Sequence, residues 1–369
     1  MRNIKMITTI ITTYKRPQLL KRAVNSILQQ THTDFQVCVY DNASGDETEE
    51  IMNALVKKDS RVKYHKHPEN IGMMANYEYG LSRVKTPYFS FLSDDDYFLP
   101  NFFTTALNGF KKHPEAAFSA CGVLAVDEND LIVANPLSNW KRNGLFQVPE
   151  GLLEMIRFKG NFPIPTGILF QHDKVKNISP DWSDEIRLMW DPDYLLQIAS
   201  QHPIVINKEI TAIYLAHSAA FSASFYAEIR GSSKGLDTYM KAVNKMLERL
   251  VKNPYLTNDV KEKVKETFVN MIRKEISVYM RHYIAYSKYS EAHHSAKTLQ
   301  HYFDVDKRIQ RYIALSNLCT TVPVLKPFVS FSMRAVRKTA RHIRNIKRYL
   351  FHPAEKVHQY HVYGQSLLK

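Results

Sequence analysis

Between residues 6 and 120 short apolar runs alternate with stretches in which apolar residues recur every three or four positions. This pattern predicts βα units stacked around a mainly parallel sheet, an α/β fold. Met6-Ile7-Thr8-Thr9-Ile10-Ile11 is continuous and β-branched, as a strand covered on both faces requires. Pro17 opens a helix with Leu20, Val24, Ile27 and Leu28 at helical spacing. Phe35 to Tyr40 is the second strand, and Ser44 with Glu47 three residues on has the pattern of a capping box starting the second helix. Arg61 to His65 is the third strand, Met74 to Val84 a helix and Tyr88 to Leu92 the fourth strand, with Pro100 beginning another helix.

The middle of the chain is less regular. Ala117 to Val133 predicts two strands around Glu128-Asn129-Asp130, and residues 136 to 149 a loop. Ile168 to Phe170 predicts a strand, Tyr194 to Ser200 a helix, and Ile204 to Ile206 and Ile213 to Leu215 two further strands. From Gly235 the pattern turns helical. The expected organisation is an α/β domain over residues 1–230, a helical region over 231–322 and a basic amphipathic helical tail over 323–369.

Composition adds limits. With 44% hydrophobic and 23% charged residues the chain is a folded protein, and 369 residues suit one enzyme-sized domain plus an appended element. Cys38, Cys121 and Cys319 are far apart and form no CxxC pair, which predicts buried thiols in a reducing compartment. The apolar run after Lys5 is too short for a signal peptide core, and no stretch approaches the roughly 20 apolar residues of a membrane span. A cytoplasmic location, peripheral at the inner face of the membrane, is expected.

Of the net charge of +14, 9 − 1 = +8 lies between Lys326 and Lys356. There Val329, Met333, Val336, Ala340, Ile343 and Ile346 fall on one helical face, with Arg334, Arg337, Lys338, Arg341, Arg344 and Arg348 on the other. Such a helix fits an anionic membrane surface. A nucleic-acid partner is not expected, because no reading motif accompanies the charge.

Three places carry candidate chemistry. Thr12-Thr13-Tyr14-Lys15-Arg16-Pro17 follows the first strand, where open α/β sheets bind ligands, and its hydroxyls, aromatic ring and cation suit a nucleotide. Asp41 ends the second strand, where a carboxylate can accept from a base N–H or a ribose hydroxyl. Asp94-Asp95-Asp96 abuts the fourth strand, and three adjacent carboxylates repel unless a hard cation such as Mg²⁺ or Mn²⁺ is present.

These motifs, with Asn70-Ile71-Gly72 and Asn76 between them and Pro100 after them, make residues 5 to 220 resemble the family 2 glycosyltransferases of GT-A fold. The resemblance implies a GT-A nucleotide-binding fold with a C-terminal α-helical extension. It also implies inverting transfer of a sugar from a UDP-, dTDP- or GDP-linked donor to a glycan or lipid-linked acceptor. Bacterial surface glycan assembly is the expected setting.

Counting back from Pro100 matches Asp95 to the metal position with Asp96 in support as a second metal candidate, and Asp94 to the ribose side, with Ser93 where many relatives carry an Asp. Thr12, Thr13, Tyr14, Arg16, Asp41 and Asn70 match the nucleotide pocket. An inverting transfer needs a general base. The family's Glu-Asp pair aligns with Trp190-Asp191, which makes Asp191 the expected base and Asp193 the second candidate. Tyr214-Leu215-Ala216-His217 with Ser222 and Ser224 resembles the segment near the metal, so His217 is a further metal or phosphate ligand.

Two other readings exist: an inactive transferase-like module docked on a membrane, suggested by Ser93 and Trp190, and a sugar-phosphate nucleotidyltransferase. Neither a glycine after the first strand nor GxGxxG is present, which weighs against the latter and against a dehydrogenase.

Overall fold

The computed structural model describes residues 6–129, 131–157, 159–186, 189–217, 233–335 and 354–368. Strands β1 (Ile7–Thr13), β2 (Phe35–Asp41), β3 (Val62–Lys66) and β4 (Tyr88–Phe91) run parallel in the order β3-β2-β1-β4. Helices α1 (Pro17–Leu28), α2 (Thr48–Lys58) and α3 (Met73–Leu81) connect them. Every residue of β1 is buried. Its side chains alternate between layers, Ile7 and Ile11 packing with Leu20, Val24 and Phe102 on one face and Ile10 with Phe89 and Phe91 on the other.

The chain continues through β5 (Tyr97–Phe98), α4 (Phe102–Lys112), β6 (Phe118–Asp127), β7 (Ile132–Ala134), β8 (Gly144–Phe146) and α5 (Glu150–Ile156). It then forms β9 (Ile168–Gln171), α6 (His172–Val175), α7 (Trp190–Ala199) and β10 (Ile204–Ala216). These strands extend the sheet beyond β4 in the order β9-β6-β10-β5. The longest pairings, β1 with β2 and β6 with β10, are parallel, while β9 lies antiparallel between β4 and β6. The expected mainly parallel α/β sheet is therefore present.

Local departures from expectation have physical causes. Ser44 does not cap α2, which starts at Thr48 with no side-chain cap, because its hydroxyl is used to tie two loops together. The polar break Asn207-Lys208-Glu209 is a bulge inside a single strand, β10, and not a gap between two strands. Gly122 permits this: a Cβ there would lie 2.6 Å from the Lys208 carbonyl oxygen. Within residues 136–149, Gly144–Phe146 adds an antiparallel strand to β10.

From residue 233 on, helices Ser233–Lys252, Asn258–Ala285, Tyr289–Tyr302 and Lys307–Thr321 follow. The expected boundary near residue 230 and Ser222 and Ser224 lie outside the described residues. The helical region shares one apolar cluster with the sheet, in which Phe89, Phe91 and Trp190 join Leu236, Met246, Phe268 and Leu299.

Of the expected basic tail, Val336, Ala340, Ile343, Ile346 and the cations from Arg337 to Arg348 also lie outside the described residues. Its far end is not a free tail. The helix Ala354–Ser366 returns to α1, where Lys21 Nζ donates to the Leu368 carbonyl at 2.7 Å and Asn25 Nδ2 to that of Leu367 at 2.6 Å. Leu367 is buried with Tyr97, Leu124 and Ile213.

Candidate active site

Strands β1, β2 and β3 step in one direction across the sheet, and β4 then returns to the other side of β1. At such a reversal the loops leaving the two strand ends diverge and open a crevice. The loop after β1 and the aspartates after β4 meet there. A cavity of about 680 Å³ is lined by Thr12, Thr13, Tyr14, Arg16, Asn42, Asn70, Asn76, Tyr77, Ser93, Asp94 and Asp95, and farther along by Trp190 and Asp191.

The loop after β1 is held open by backbone conformation. Lys15 and Ala43 both adopt left-handed φ, of 55° and 61°, unusual for residues with a Cβ. Ser44 Oγ accepts from the Lys15 N–H at 2.8 Å and donates to Asp41 Oδ1, locking the β1 and β2 loops together. Asp41 also accepts from Tyr64 O–H at 2.8 Å through its other oxygen, and it does not line the cavity. The structure therefore gives Asp41 a supporting position, not the expected one at the base or ribose. Asn42, its successor, lines the cavity instead. Its Nδ2 donates to Asn70 Oδ1 at 2.8 Å and its Oδ1 accepts from the Ile71 N–H.

Arg16 caps the aspartates. One guanidinium nitrogen donates to Asp94 Oδ1 at 3.1 Å and to Asp95 Oδ2 at 2.7 Å. Thr13 donates to the other oxygen of Asp94 at 2.8 Å. Burial, and then the neighbouring charge of Asp95, push the Asp94 carboxyl up to about 6, against the pull of Arg16 and Thr13. For Arg16, burial alone would lower the pKa, but Asp94 and Asp95 together raise it. From beneath, Arg22 donates to the Asp95 carbonyl at 2.5 Å and lies over the Tyr97 ring.

His217 Nε2 comes within 3.0 Å of Asp95 Oδ2, the oxygen that Arg16 also approaches. Asp96 turns the other way: its carboxylate accepts from Thr166 O–H and, at 3.0 Å, from the Leu215 N–H, and it is fully buried. Burial and then Asp95 push its pKa well up. Asp96 is thus tied to β10 and the turn before β9, off the cavity wall, which gives it a structural position and not the expected one beside a metal.

Among the described residues no group of three His, Cys, Asp or Glu side chains converges as a ready-made metal cage. The fit must therefore rest on Asp95, His217 and substrate oxygens. Two protein donors plus phosphates suit Mg²⁺ or Mn²⁺, which bind through few protein ligands. The two adjacent carboxylates are met by the Arg16 guanidinium and, at Asp95, by His217, the same donors that a cation at this place would join.

The two base candidates separate on α7. Asp191 lines the cavity, and burial pushes its carboxyl up to about 7. Asp193 is fully buried and pairs with Arg249 of the helix Ser233–Lys252, with Gln197 Nε2 at 3.4 Å. It does not line the cavity. Its role is to join α7 to the helical region. Asp193→Asn is expected to cost about 1–3 kcal/mol in urea unfolding, the loss of a hydrogen-bonded charge from a buried position, with nucleotide affinity unchanged.

Several cavity residues were not singled out from sequence. Tyr77 stands over Trp190 at 5.2 Å, and Trp190 also meets Phe91 and Trp182, so the tryptophan in the place of a glutamate forms an aromatic wall. Tyr239, Val243, Met246, Phe268 and Met271 close the cavity from the helical region.

Comparison with known proteins agrees with this architecture. Residues 8–176 match the model of glycosyl transferase family 2. An uncharacterised glycosyltransferase of Rickettsia conorii is 36% identical over 96 residues, 26% of this chain and 16% of that protein. The GalNAc(5)-diNAcBac-PP-undecaprenol beta-1,3-glucosyltransferase of Campylobacter jejuni is 29% identical over 116 residues, 31% of this chain and 38% of that protein. The matches thus span less than two fifths of these relatives' own length.

Among solved structures, Staphylococcus aureus TarS 1-349 with UDP-GlcNAc superposes with a TM-score of 0.62 at 14% identity, covering 91% of each chain. The mannosyltransferase PcManGT of Pyrobaculum calidifontis with GDP-Man and Mn²⁺ gives 0.50 at 11% identity, covering 94% of this chain and 88% of that one. The fold is GT-A.

Proposed function

Since residues 8–176 match the model of glycosyl transferase family 2, we propose that this chain transfers a sugar, with inversion, from a nucleotide-diphosphate sugar to an acceptor hydroxyl in glycan assembly. The observation that carries this reading is that Asp191, with its carboxyl raised to about 7, lines the same cavity as Arg16, Asp94 and Asp95. A base and an anion-binding group at one cavity are what the reaction needs.

In the proposed reaction the acceptor oxygen bonds to the anomeric carbon as the bond from that carbon to the diphosphate oxygen breaks. The proton passes to Asp191 and the electron pair leaves on the diphosphate. Thr12, Tyr14, Asn42 and Asn70 are the proposed nucleoside wall. Arg16 and Thr13 hold Asp94 in place toward the ribose. Asp95 and His217 would hold Mn²⁺ or Mg²⁺, which when bound offsets charge on the diphosphate. Trp190 and Tyr77 give the donor sugar an apolar face and keep water from the anomeric carbon.

The test is turnover of a panel of UDP-, dTDP- and GDP-sugars with Mn²⁺ or Mg²⁺. Release of nucleoside diphosphate from one of them is expected, and none from any would defeat the reading. The active form of Asp191 is the carboxylate. Below its pKa the proton is already present, so log(kcat/KM) is expected to fall with a slope near one as pH drops below about 7. An acid limb set near 4 would place the base elsewhere.

A further inference from the structure

A second surface shares no residue with this cavity. Helix Lys307–Thr321 ends at Val322, and the chain turns through 114° into a helical segment, Pro323–Ala335. That segment has two apolar faces. One is seated on the body: Val329 and Met333 pack on the main cluster, and Ser330 Oγ donates to the Ile284 carbonyl at 3.1 Å and meets Ser287 Oγ at 2.9 Å. The other carries Val324, Phe328 and Phe331, spaced four and three residues apart, and these are 70%, 71% and 69% exposed. Leu318 and Val322, before the turn, are 46% and 38% exposed. Because the seated face is fixed by Ser330, the exposed face cannot rotate inward.

Exposed apolar patches of this kind mark contact with a partner. Charge identifies the partner. From Lys307 to Ala354 the sequence has eleven Lys or Arg and no Asp or Glu. Two copies meeting on this face would bring like charges together, whereas anionic lipid offers opposite charge beside an apolar interior. Among the described residues no single helix is long and apolar enough to cross a membrane, and the one pair that passes together is bent by 114°. Geometry therefore favours lying in the interface over crossing it.

We propose that the ridge Val324–Phe328–Phe331 inserts into the headgroup layer of an anionic lipid bilayer, with the adjoining cations on its phosphates. The proposal is independent of the sugar chemistry. It assigns insertion to two phenylalanines, not to charge alone.

The experiment is sedimentation of the full chain with vesicles of phosphatidylcholine containing 3 parts in 10 phosphatidylglycerol, and with phosphatidylcholine alone. Wild type is expected to bind the anionic vesicles more tightly. F328S/F331S is expected to lose at least about 30-fold in vesicle affinity, given the apolar area withdrawn from lipid. Its melting temperature should not change, since both side chains are exposed. Tyr255→Ser, an equally exposed aromatic outside the ridge, should bind as wild type does. With Phe328→Trp, emission should shift to the blue on anionic vesicles and be quenched by brominated lipid.

Absence of vesicle binding, equal binding by F328S/F331S, or an unshifted tryptophan overturns the proposal. So does a dimer that F328S/F331S converts to monomer without any vesicle binding, which would make the ridge a contact between copies. Capture by residues 336–353 of the same chain would appear as a lowered melting temperature in F328S/F331S, and would equally overturn it.

Discussion

Asp191→Asn is expected to lower kcat by about 10²–10⁴-fold, the range of a positioned general base. The amide keeps the shape of the carboxyl but cannot take the acceptor's proton. Donor affinity should stay within a few-fold, because Asp191 lines the cavity away from the bonds that hold Arg16, Asp94 and Asp95.

The sign of the stability effect separates this result from misfolding. A carboxyl whose folded pKa is raised to about 7 weighs against the folded state. That penalty grows as pH rises from the unfolded value of about 4 and is complete above the folded one. Asp191→Asn should therefore be as stable as wild type at pH 8, or more so. The Asp193 carboxyl is also raised, to about 6, so its linkage has the same sign, and Asp193→Asn differs in breaking the ion pair to Arg249; activity surviving in Asp191→Asn but lost in a well-folded Asp193→Asn would exchange the two roles.

Asp95→Ala is expected to remove the response to divalent cation and to lower kcat/KM by about 10³-fold, several kcal/mol of charge stabilisation. The side chain is the point on which Arg16 and His217 converge, so its loss leaves the proposed cation with one protein donor. Thermal shift with UDP or GDP, with and without Mn²⁺, reads this directly, since a ligand of the folded state raises the melting temperature. Wild type should gain extra stabilisation from Mn²⁺ and Asp95→Ala should not. A cation-dependent shift that persists in Asp95→Ala would move the metal site away from this carboxylate. Asp96→Asn gives a contrast: it disturbs Thr166 and the Leu215 N–H, and so the fold, before any cation.

Much of the cavity wall formed by the ends of β1 and β4 was legible because strand ends fix it. A continuous apolar run ending in polar residues places those residues at the sheet's edge, and Thr12, Thr13, Tyr14, Arg16, Asp94 and Asp95 all reached the cavity. Adjacent carboxylates were harder. Asp94, Asp95 and Asp96 are consecutive, and only the packing of Thr166 and β10 shows which one turns inward. Asp191 and Asp193 lie about 200° apart around a helix of 3.6 residues per turn, so they must face opposite ways. That much follows from helical geometry, but which of them faces the cavity depends on Arg249, 56 residues beyond Asp193. Likewise Asn42 replaces Asp41 because Ser44 and Tyr64 claim the aspartate.

The helical region was the least legible part of the site. Its periodicity predicts helices, and helices form from residue 233. Periodicity says nothing about which face of a helix meets a distant cavity, so Tyr239, Val243, Met246, Phe268 and Met271 did not stand out. They are both core and cavity wall.

The return of Leu367 to Tyr97 sets a timetable for synthesis. The two residues share one cluster although 367 − 97 = 270 positions separate them. At roughly 5–20 residues per second, a ribosome needs roughly 14–54 s to pass from one to the other. For that interval the edge at β5, two residues beyond Asp95, has its permanent cover still unmade. A nascent chain must therefore leave Tyr97 without Leu367 for that time, and Ile213, 367 − 213 = 154 positions before it, for roughly 8–31 s, even after β1 to β4 have paired.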